Sequence, residues 1–513
     1  MTCQRSMLAW PDLAGKRVGV WGFGREGSAS LRKLRSMGVE SVLVDDNPPA
    51  KADTTGGAAA DGILATADGG LDALLKCDVV IKTPGISRYR PEADRLREAG
   101  VVLTGGLALW LAEQAAAGNL SRVVVVTGTK GKSTTSSVMG HLLNGLGYRA
   151  AVGGNIGNVP YDPVLPRGEN SPRTPPANEG AARPPVPPAG SPSASRPPEQ
   201  YWIIEVSSYQ ATDLGVTPPV TAVTSLHPDH LPWHGGVEQY YRDKLSACSQ
   251  PGAELTIANG DSDEIRERRP LLGPAVRWVG EDDEPGATWM EPLGLPGRHN
   301  RRNALIARQV LLGLGIEGAD DDARLAAAAA GYVGLPSRLA TIGTVTAAGA
   351  LVTSGTDAGP GPAPGPGVRF VDDSLSTNVL PTLAALDAFP GQRVALIVGG
   401  QDRGIDYGEL ADGVMARAGE TAVLTLPDSG PRISAAFKGR AGGPGAPGAP
   451  GTASAVSVQD CPDLDTAVRA GFTWAKPDGV VLLSPAAPSF GHFKNYSDRA
   501  AAFSRAMREI SQE

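Results

Sequence analysis

Residues 123–135 of the chain read Val-Val-Val-Val-Thr-Gly-Thr-Lys-Gly-Lys-Ser-Thr-Thr. The apolar run predicts a buried strand, the glycines predict a tight turn, and Lys132 and Ser133 are predicted to open a helix. The backbone N–H groups of such a turn bind phosphate, Lys132 can reach the β/γ oxygens, and Ser133 can hold Mg²⁺. The first glycine of the turn is Gly128, because Val126 stands where the usual phosphate loop begins. This tighter variant still predicts binding of a nucleoside polyphosphate.

Length, charge and hydropathy narrow the class of protein. The chain has 513 residues, and at about 100–200 residues per domain we expect three domains. The net charge of −7 argues against a nucleic-acid partner, because binding to the phosphate backbone requires a basic surface. The sequence contains neither an apolar run of about 18 residues nor the core of a signal peptide. We therefore expect a soluble cytoplasmic protein without a membrane partner.

The amino-terminal part has the pattern of a nucleotide-binding α/β unit. Its predicted strands end in polar features, which are the turn Gly22-Phe-Gly24-Arg-Glu-Gly27, the acids Asp45 and Asp46, and the turn Thr83-Pro-Gly85. A GxGxxG turn with an acid about 20 residues later is the dinucleotide fingerprint. It is weak evidence for NAD, because any close strand-to-helix turn needs such glycines. We predict a first, Rossmann-like domain at residues 1–118.

A carboxylate and an imidazole follow the phosphate loop in the next part of the chain. Glu205 ends one predicted strand, and His230 comes shortly after the predicted strand at residues 220–226. In a mostly parallel sheet, both side chains are expected at the sheet edge where ligands bind. Mg²⁺ prefers oxygen ligands, and Ser133 and Glu205 could supply them. The second domain is predicted at residues 119–334, with a mostly parallel sheet and helices around the phosphate loop.

Three segments rich in Pro, Gly and Ala interrupt these patterns, at residues 166–198, 355–367 and 439–453. Such composition cannot bury a core, so we predict exposed or disordered loops there. A third domain with polar turns at strand ends is predicted at residues 335–513. The predicted fold class is therefore α/β with three domains.

Six motifs, in chain order, resemble those of the Mur ligases, and within that family those of the ligases that add glutamate to UDP-N-acetylmuramoyl-L-alanine. They are Gly128-Thr-Lys-Gly-Lys-Ser-Thr134, Glu205-Val-Ser-Ser-Tyr-Gln210, Asp229-His230, Lys244, His299-Asn300 and Asp373-Ser374. The resemblance covers nearly the whole chain apart from the three low-complexity segments. It implies a Rossmann-like amino-terminal domain for the UDP group, a central domain of the P-loop ATPase type and a Rossmann-like carboxy-terminal domain that brings the amino acid. It also implies a monomeric, ATP-dependent ligase of peptidoglycan precursor synthesis that proceeds through an acyl phosphate. The GxGxxG turn would then bind uridine diphosphate rather than NAD.

The resemblance also implies roles for individual residues. It implies catalytic roles for Lys132, His230 and Lys244. It implies ATP binding by Gly128, Thr129, Lys130, Gly131, Lys132, Ser133, Thr134, Asn300, Arg338 and Asp373. The implied Mg²⁺ ligands are Ser133, Glu205, His230 and, if CO₂ carbamylates it, Lys244. The UDP substrate would contact Gly22, Gly24, Gly27, Asp45, Asp46, Thr83, Gly85 and Asn155, and glutamate would contact Thr377, Arg403, Ser489, Phe490, Lys494 and Tyr496.

The amino-acid site departs from the pattern of the D-glutamate-adding enzymes. Those enzymes have Asp-Ser-Lys-Ala-Thr-Asn where this chain has Asp373-Ser-Leu-Ser-Thr-Asn378, and Leu375 cannot pair with a carboxylate. Arg403 can grip a carboxylate through two parallel hydrogen bonds. These departures resemble the branch that adds L-glutamate, so we favour L-glutamate, with D-glutamate as the alternative.

Three other functions compete with this interpretation. A folylpolyglutamate-synthase-like ligase would share the phosphate loop but would lack the amino-terminal uridine-type domain. A regulatory ATP-binding protein would need neither a second metal nor an amino-acid pocket. An NAD-dependent dehydrogenase would leave the phosphate loop unexplained.

Overall fold

The computed structural model describes residues 5–48, 62–156, 158–164, 200–346, 349–352, 367–441 and 456–512. These residues form a mixed α/β protein with three sheets. The chain divides into two compact units, Met1–Pro292 with Arg302–Tyr332, and Leu293–Arg301 with Val333–Glu513.

The strands of the first unit form two sheets. They are β1 (Val18–Trp21), β2 (Ser41–Asp45), β3 (Ile63–Ala65), β4 (Val79–Lys82), β5 (Val102–Thr104), β6 (Val123–Thr127), β7 (Arg149–Gly154), β8 (Gln200–Glu205), β9 (Val220–Val223), β10 (Leu255–Asn259) and β11 (Ala275–Val279). The first sheet has the order β3-β2-β1-β4-β5, and the second has the order β11-β10-β9-β6-β8-β7. Every pairing within both sheets is parallel. The predicted parallel α/β organisation of this part of the chain is confirmed.

Helices connect these strands, as parallel pairing requires. They are α1 (Arg25–Ser36), α2 (Leu71–Leu74), α3 (Pro91–Glu98), α4 (Gly106–Ala116), α5 (Lys132–Gly145), α6 (Ser208–Ala211), α7 (Leu231–His234), α8 (Val237–Leu245), α9 (Asp263–Glu267), α10 (Arg298–Gly313) and α11 (Asp322–Ala329). Part of α10 belongs to the second unit. Within the described ranges, no helix is both long and apolar enough to cross a membrane.

The two sheets of the first unit share one hydrophobic core. Helix α4 is buried along most of its length, and Trp110 on that helix packs edge-to-face on Trp202 of β8, with 5.5 Å between ring centroids. Val20 of the first sheet and Val125 of the second sheet are both at most 1 % exposed and belong to the same cluster. A helix that is apolar on all sides is typical of a buried position. Because both sheets lie in one compact unit, the predicted domain boundary between residues 118 and 119 stays a prediction.

The second unit contains the third sheet. Its strands are β12 (Ala340–Thr346), β13 (Leu351–Val352), β14 (Gly367–Asp372), β15 (Val394–Gly400), β16 (Thr421–Asp428), β17 (Val456–Asp460) and β18 (Val480–Leu483). The helices are α12 (Val379–Leu386), α13 (Gly408–Met415), α14 (Gly430–Ala441), α15 (Leu464–Ala475) and α16 (Tyr496–Ile510). The strand order is β13-β12-β14-β18-β15-β16-β17, and only β12 pairs antiparallel, with β13 and β14.

The low-complexity segments fall mostly outside the described residues. This is the case for all of residues 166–198 and for most of the other two segments. The predicted bounds of two loops are wrong, however, because each predicted loop extends into a strand or a helix. Gly367 begins β14, because its backbone pairs with Thr346 of β12, and residues 439–441 are the last turn of α14.

A buried ion pair between the two sheets of the first unit gives a stability prediction. Lys82 Nζ at the end of β4 lies 2.7 Å from Asp213 Oδ2, and these side chains are 0 % and 5 % exposed. We expect Asp213→Asn to lower the free energy of unfolding by about 3 kcal/mol, because it leaves a buried ammonium without its counter-ion. Urea titration followed by circular dichroism measures this change.

The matched control for that variant is Glu317→Gln in the same unit. Glu317 pairs with Arg324 at 3.0 Å, but the two side chains are 82 % and 46 % exposed, so no measurable change is expected. Equal unfolding midpoints for Asp213→Asn and wild type would contradict a stabilising role for the buried pair.

Candidate active site

The turn after β6 has the backbone of a phosphate-binding loop. Gly128 has φ +136°, and a Cβ atom there would lie 2.3 Å from Thr224 Oγ1, so only glycine fits. The backbone N–H of Lys130 donates to Ser225 Oγ at 2.8 Å, which fixes the turn against the strand-end segment after β9. Helix α5 begins at Lys132, directly after Gly131. Lys132 Nζ donates to the Gly128 carbonyl at 2.9 Å and therefore lies over the loop.

Ser133, Glu205 and Asn155 form one hydrogen-bonded group behind this loop. Glu205 ends β8, next to β6 in the sheet, and is 1 % exposed. Its Oε2 accepts a hydrogen bond from Ser133 Oγ at 2.6 Å, and its Oε1 accepts one from Asn155 Nδ2 at 2.6 Å. Parallel strands thus bring together three residues that are widely separated in the sequence. Ser133 at the start of α5 and Glu205 at the end of β8 are therefore in direct contact.

Lys244 approaches the same loop from α8. Its side chain is 3 % exposed, and Nζ donates to the Gly128 carbonyl at 3.0 Å. Burial lowers the pKa of Lys244 well below its ordinary range, and the positive charge of Lys132 acts in the same direction. The buried amine is therefore more easily deprotonated than an exposed lysine.

His230 lies at the edge of this group. It has a left-handed backbone, with φ +53°, immediately before α7, and its side chain is 53 % exposed. Its Nε2 is 3.7 Å from Asp229 Oδ2. Partial burial lowers the pKa of His230, which favours the neutral ring that binds metals.

The donor set at Glu205 fits Mg²⁺ in its chemistry. The hydroxyl of Ser133 and the carboxylate of Glu205 are oxygen ligands, which hard divalent cations prefer, and a few side chains plus substrate phosphates are the usual Mg²⁺ environment. Among the described residues, no group of three or more His, Cys, Asp and Glu side chains could hold a metal by itself. A cation here would therefore depend on phosphate oxygens for the rest of its ligands.

The residues predicted for the UDP substrate lie at the carboxyl ends of β1, β2, β4 and β7. A Cβ atom on Gly22 would lie 2.0 Å from Thr83 Oγ1, so this glycine serves the close packing of two turns. The two acids have protein partners. Asp45 Oδ2 accepts from the Phe23 N–H at 2.6 Å, and Asp46 Oδ2 lies 2.6 Å from Arg90. Gly24 and Gly85 face open space, as a ligand site requires.

Glu26 in the same turn gives a pH prediction. Gln210 Nε2 donates to Glu26 Oε1 at 2.8 Å, and burial raises the pKa of Glu26 from 4.5 to about 7. The folded state therefore keeps this proton at pH values where the unfolded chain has lost it. We expect stability to fall as the pH rises from about 4.5 to about 7, and Glu26→Gln to abolish that part of the fall. Urea unfolding at pH 5 and pH 8 measures the difference.

The control for Glu26 is Glu98→Gln at an exposed position at the end of α3. It should show the same pH dependence as wild type. If Glu26→Gln also follows the wild-type profile, the raised pKa of Glu26 is wrong.

In the second unit, two carboxylates at the end of β14 organise the segment that contains Arg338. Ser337 Oγ donates to Asp372 Oδ2 at 2.8 Å, and the Leu339 N–H donates to Asp373 Oδ1 at 3.1 Å. Ser337 and Leu339 have φ values of +58° and +53°, which are strained for residues with side chains. Burial raises the pKa of Asp373 to about 6. Asp373 thus orders the backbone that presents Arg338.

Asn300, the other residue predicted to bind ATP in this unit, is 5 % exposed. Its Nδ2 donates to the Pro296 carbonyl at 2.8 Å, within the turn that precedes it.

The residues predicted to bind glutamate follow three neighbouring parallel strands. Thr377 follows β14, Arg403 follows β15, and the others follow β18, which lies between those two strands in the sheet; they are Ser489, Phe490, Lys494 and Tyr496. Because carboxyl ends of parallel strands share one edge, the topology places this set at the same edge. Arg403 and Lys494 are exposed, whereas Ser489 is 5 % exposed.

Two further residues join these groups and were not singled out from the sequence. Arg25 Nη2 donates to the Asn155 carbonyl at 3.4 Å, which connects the GxGxxG turn to the Glu205 group. Asp372 accepts the hydrogen bond from Ser337 Oγ and so fixes the residue before Arg338. Arg25 could have been noticed, because it lies inside the glycine motif at the start of α1. No local sequence signal indicates the partner of Asp372.

Comparisons with known proteins show what this chain is similar to. A family model described as the Mur ligase middle domain matches residues 126–291. Three relatives are each named UDP-N-acetylmuramoyl-L-alanine--L-glutamate ligase. The protein from Micromonospora sp. is 35 % identical, and the match covers 98 % of both chains. The protein from Salinispora tropica is also 35 % identical, and the match covers 98 % of this chain and 99 % of the relative. The protein from Xanthomonas axonopodis pv. citri is 34 % identical, and the match covers 96 % of this chain and 95 % of the relative. A crystal structure of UDP-N-acetylmuramate-alanine ligase from Thermotoga maritima covers 97 % of this chain and 99 % of its own, with 17 % identity and a TM-score of 0.49.

Proposed function

Because the chain belongs to the Mur ligase family, we propose that it adds L-glutamate to UDP-N-acetylmuramoyl-L-alanine in an ATP-dependent reaction of peptidoglycan precursor synthesis. The arrangement of Lys132, Lys244 and the Ser133–Glu205 pair around the Gly128 turn is the main structural support. These groups provide two amines and an oxygen pair at a loop suited to polyphosphate. The cytoplasmic location and the monomeric state stay predictions.

The proposed reaction has two steps. The terminal carboxylate of the UDP substrate attacks the γ-phosphorus of ATP, which gives an acyl phosphate and ADP. The amine of glutamate then attacks the acyl carbon, and phosphate leaves as the amide bond forms. Phosphoryl transfer of this kind depends mainly on positioning and on charge stabilisation.

The residues of the chain supply these two requirements. Lys132 pairs with the γ-phosphate, and the N–H groups of the turn hold the phosphate chain. Ser133 and Glu205 would hold Mg²⁺, which neutralises phosphate charge when it is bound. Arg338, supported by Asp373, is proposed as a further nucleotide contact in the second unit.

Carbamylation of Lys244 is a finer part of the proposal. The nitrogen of a neutral amine attacks the carbon of CO₂ and loses a proton to solvent, which gives a carbamate, an anion with two oxygens. The lowered pKa of Lys244 supports this step because it increases the neutral fraction of the amine. Mass spectrometry of the intact protein after trapping of the carbamate tests it, and Lys244 without added mass at saturating bicarbonate would contradict it.

The preference for L-glutamate rests on the second unit. Leu375 places an apolar side chain where the D-glutamate enzymes have lysine. Its side chain is partly exposed, and its N–H donates to the Ser337 carbonyl at 3.1 Å. The names of the relatives support the same choice. Arg403, exposed after β15, would bind a glutamate carboxylate through its planar guanidinium.

Arg403→Ala is therefore expected to raise the KM for L-glutamate by about tenfold or more, because a charged hydrogen bond is lost. The KM for ATP should change by less than about twofold, since Arg403 has no proposed nucleotide contact. Steady-state kinetics with each substrate varied in turn measures both values. Arg393→Ala is the matched control, because Arg393 lies at the amino end of the same strand and pairs with Glu420 at 2.6 Å. Equal increases in both KM values for Arg403→Ala would refute its assignment.

The experiment that tests the proposed function supplies UDP-N-acetylmuramoyl-L-alanine, Mg²⁺ and ATP with either L- or D-glutamate. Phosphate release and the mass of the product are followed. We expect phosphate and the glutamate adduct with L-glutamate. Release with neither isomer would exclude the glutamate-ligase function, and release with D-glutamate alone would exclude the proposed stereochemistry.

A further inference from the structure

A buried series of hydrogen bonds lies beside the candidate site but includes none of its predicted residues. His234 Nδ1 is 2.6 Å from Asp243 Oδ2, and His234 Nε2 is 3.0 Å from Ser208 Oγ. The three residues are 2 %, 3 % and 2 % exposed, in the order His234, Asp243, Ser208. Polar groups buried this deeply are held by their mutual hydrogen bonds, and losing one partner is costly.

The direction of each bond follows from the donors and acceptors. Asp243 also accepts hydrogen bonds on Oδ1 from Tyr89 Oη at 2.6 Å and from Gln239 Nε2 at 2.8 Å. An ionised carboxylate only accepts, so His234 Nδ1 must carry a proton. In the neutral ring, Nε2 then accepts the hydroxyl proton of Ser208. The carboxylate therefore fixes both the tautomer and the orientation of the imidazole.

The same three residue types form the nucleophilic triad of many hydrolases. That function does not fit here, because Ser208 is 2 % exposed and its hydroxyl is directed at the ring. A substrate carbonyl could not reach its oxygen without unfolding the surrounding segment. The three hydrogen-bonded side chains instead hold α6, α7 and α8 in position relative to one another.

Each member of the series is close in sequence to one candidate site residue. Ser208 begins α6 and lies three positions after Glu205. Asp243 directly precedes Lys244 on α8, so the bond to His234 fixes the rotation of that helix while Lys244 faces the Gly128 carbonyl. A small rotation of α8 would move Lys244 away from the loop.

His234 ends α7, four positions after His230. This helix has only four residues, and it is flanked by left-handed backbone at His230 and at Gly235, with no side-chain cap. Local propensity cannot hold so short a turn. Its position depends on tertiary bonds. They include those of His234, the bond from Trp233 Nε1 to the Gly85 carbonyl at 3.2 Å, and the bond from Ser87 Oγ to the Trp233 carbonyl at 3.1 Å.

We propose that Ser208, His234 and Asp243 form a positioning network that holds Lys244 and His230 in register with Glu205 and thereby sets the affinity of the site for divalent cations. The inference rests on the proposed function in that these residues are taken to surround the metal-nucleotide site. None of the three network residues is among the predicted substrate contacts. Their effect is transmitted through α7 and α8.

The test compares two replacements of His234. Glutamine places its amide near the Nε2 position and loses the bond to Asp243, whereas asparagine places its amide near the Nδ1 position and keeps that bond. Binding of Mn²⁺ in the presence of a non-hydrolysable ATP analogue is measured by electron paramagnetic resonance. We expect His234→Gln to weaken Mn²⁺ binding about tenfold or more, as for other groups that orient metal ligands, and His234→Asn to remain within about threefold.

Kinetics gives a second readout that a purely structural role would not change. His234→Gln should raise the Mg²⁺ concentration for half-maximal rate about tenfold or more, while the KM for L-glutamate stays within about twofold of wild type. His141→Gln is the control. His141 is a partly buried histidine of the same unit whose Nε2 lies 3.2 Å from the Ala330 carbonyl, and its variant should match wild type in both measurements.

Ser208→Ala removes only a hydroxyl, so it tests the proposed network if His234→Gln does not fold. It should weaken Mn²⁺ binding in the same direction by about two- to threefold, because it loses the same bond between Ser208 and His234 that His234→Asn loses. Wild-type Mn²⁺ affinity in a folded His234→Gln protein, or in Ser208→Ala if it alone folds, would overturn the network. Absence of ligase product from the wild type, with the Mn²⁺ effects present, would instead overturn the proposed function. A wild type that does not bind Mn²⁺ with the nucleotide analogue would overturn both.

Discussion

Lys132→Ala is expected to lower the rate of phosphate release by at least about 10³-fold. Lys132 Nζ lies over the loop, 2.9 Å from the Gly128 carbonyl, and Lys132 is the first residue of α5, so we propose that its amine meets the γ-phosphate. The charge on the transferred group is stabilised mainly by fixed cations and N–H donors. Loss of the amine therefore acts on the transition state more than on ATP binding.

Two further variants serve as comparisons for the rate of phosphate release by Lys132→Ala. Lys132→Arg keeps the charge but not the compact ammonium, so it should recover part of the rate. Lys16→Ala removes an exposed lysine that precedes β1 and should leave the rate unchanged. Turnover of Lys132→Ala within a few-fold of wild type, in a protein with the wild-type circular dichroism spectrum, would remove Lys132 from the mechanism.

Glu205→Gln is expected to lower the rate at about 1 mM Mg²⁺ by at least about 100-fold, because a ligand charge is lost where the cation is held. Glu205 is 1 % exposed and receives hydrogen bonds from Ser133 and Asn155, each at 2.6 Å. Glutamine has nearly the same volume, so packing in the core should survive. Raising the Mg²⁺ concentration should restore part of the rate, which would separate weakened metal binding from a general loss of structure.

Calorimetric titration with Mg²⁺ and a non-hydrolysable ATP analogue measures the effect of Glu205→Gln on binding directly. Glu98→Gln, an exposed acid on α3, is the charge-matched control. If Glu205→Gln binds Mg²⁺ as tightly as wild type does, the proposed metal ligand is wrong, even if activity is reduced.

The two Glu205 oxygens have different partners, and this difference is relevant to the reaction. Asn155 is proposed to contact the UDP substrate, whereas Ser133 belongs to the phosphate loop. One carboxylate thus lies between the proposed acceptor side and the proposed nucleotide side of the first unit.

Much of the first unit could be predicted from local sequence. The run at Val123–Thr127 is β6, and Lys132 opens α5 as expected. These predictions succeed because a fully buried parallel strand must be apolar, and because a glycine turn before a helix needs few distant contacts. The family resemblance supplied the residue set from motifs that are far apart but retain their order.

The polar partners of the site were much harder to predict. Nothing near Asp213 in the sequence indicates that Lys82 neutralises it, and nothing near Asp243 indicates His234 or Tyr89. Such pairs depend on the packing of two sheets and on the rotation of short helices. Neither is encoded in hydrophobic periodicity, which specifies only the face that is buried.

The sequence alone predicted the α/β class, the strand and helix around the phosphate loop, and the family, because these depend on local periodicity and on motifs with fixed spacing. Only the tertiary structure decided that the first two sheets share one core, that Glu205 joins Ser133 to Asn155, and that Lys244 is buried against Gly128. The reason is physical. Burial, low dielectric and the fixed geometry of hydrogen bonds arise when distant segments pack, and they give each of these side chains its chemistry.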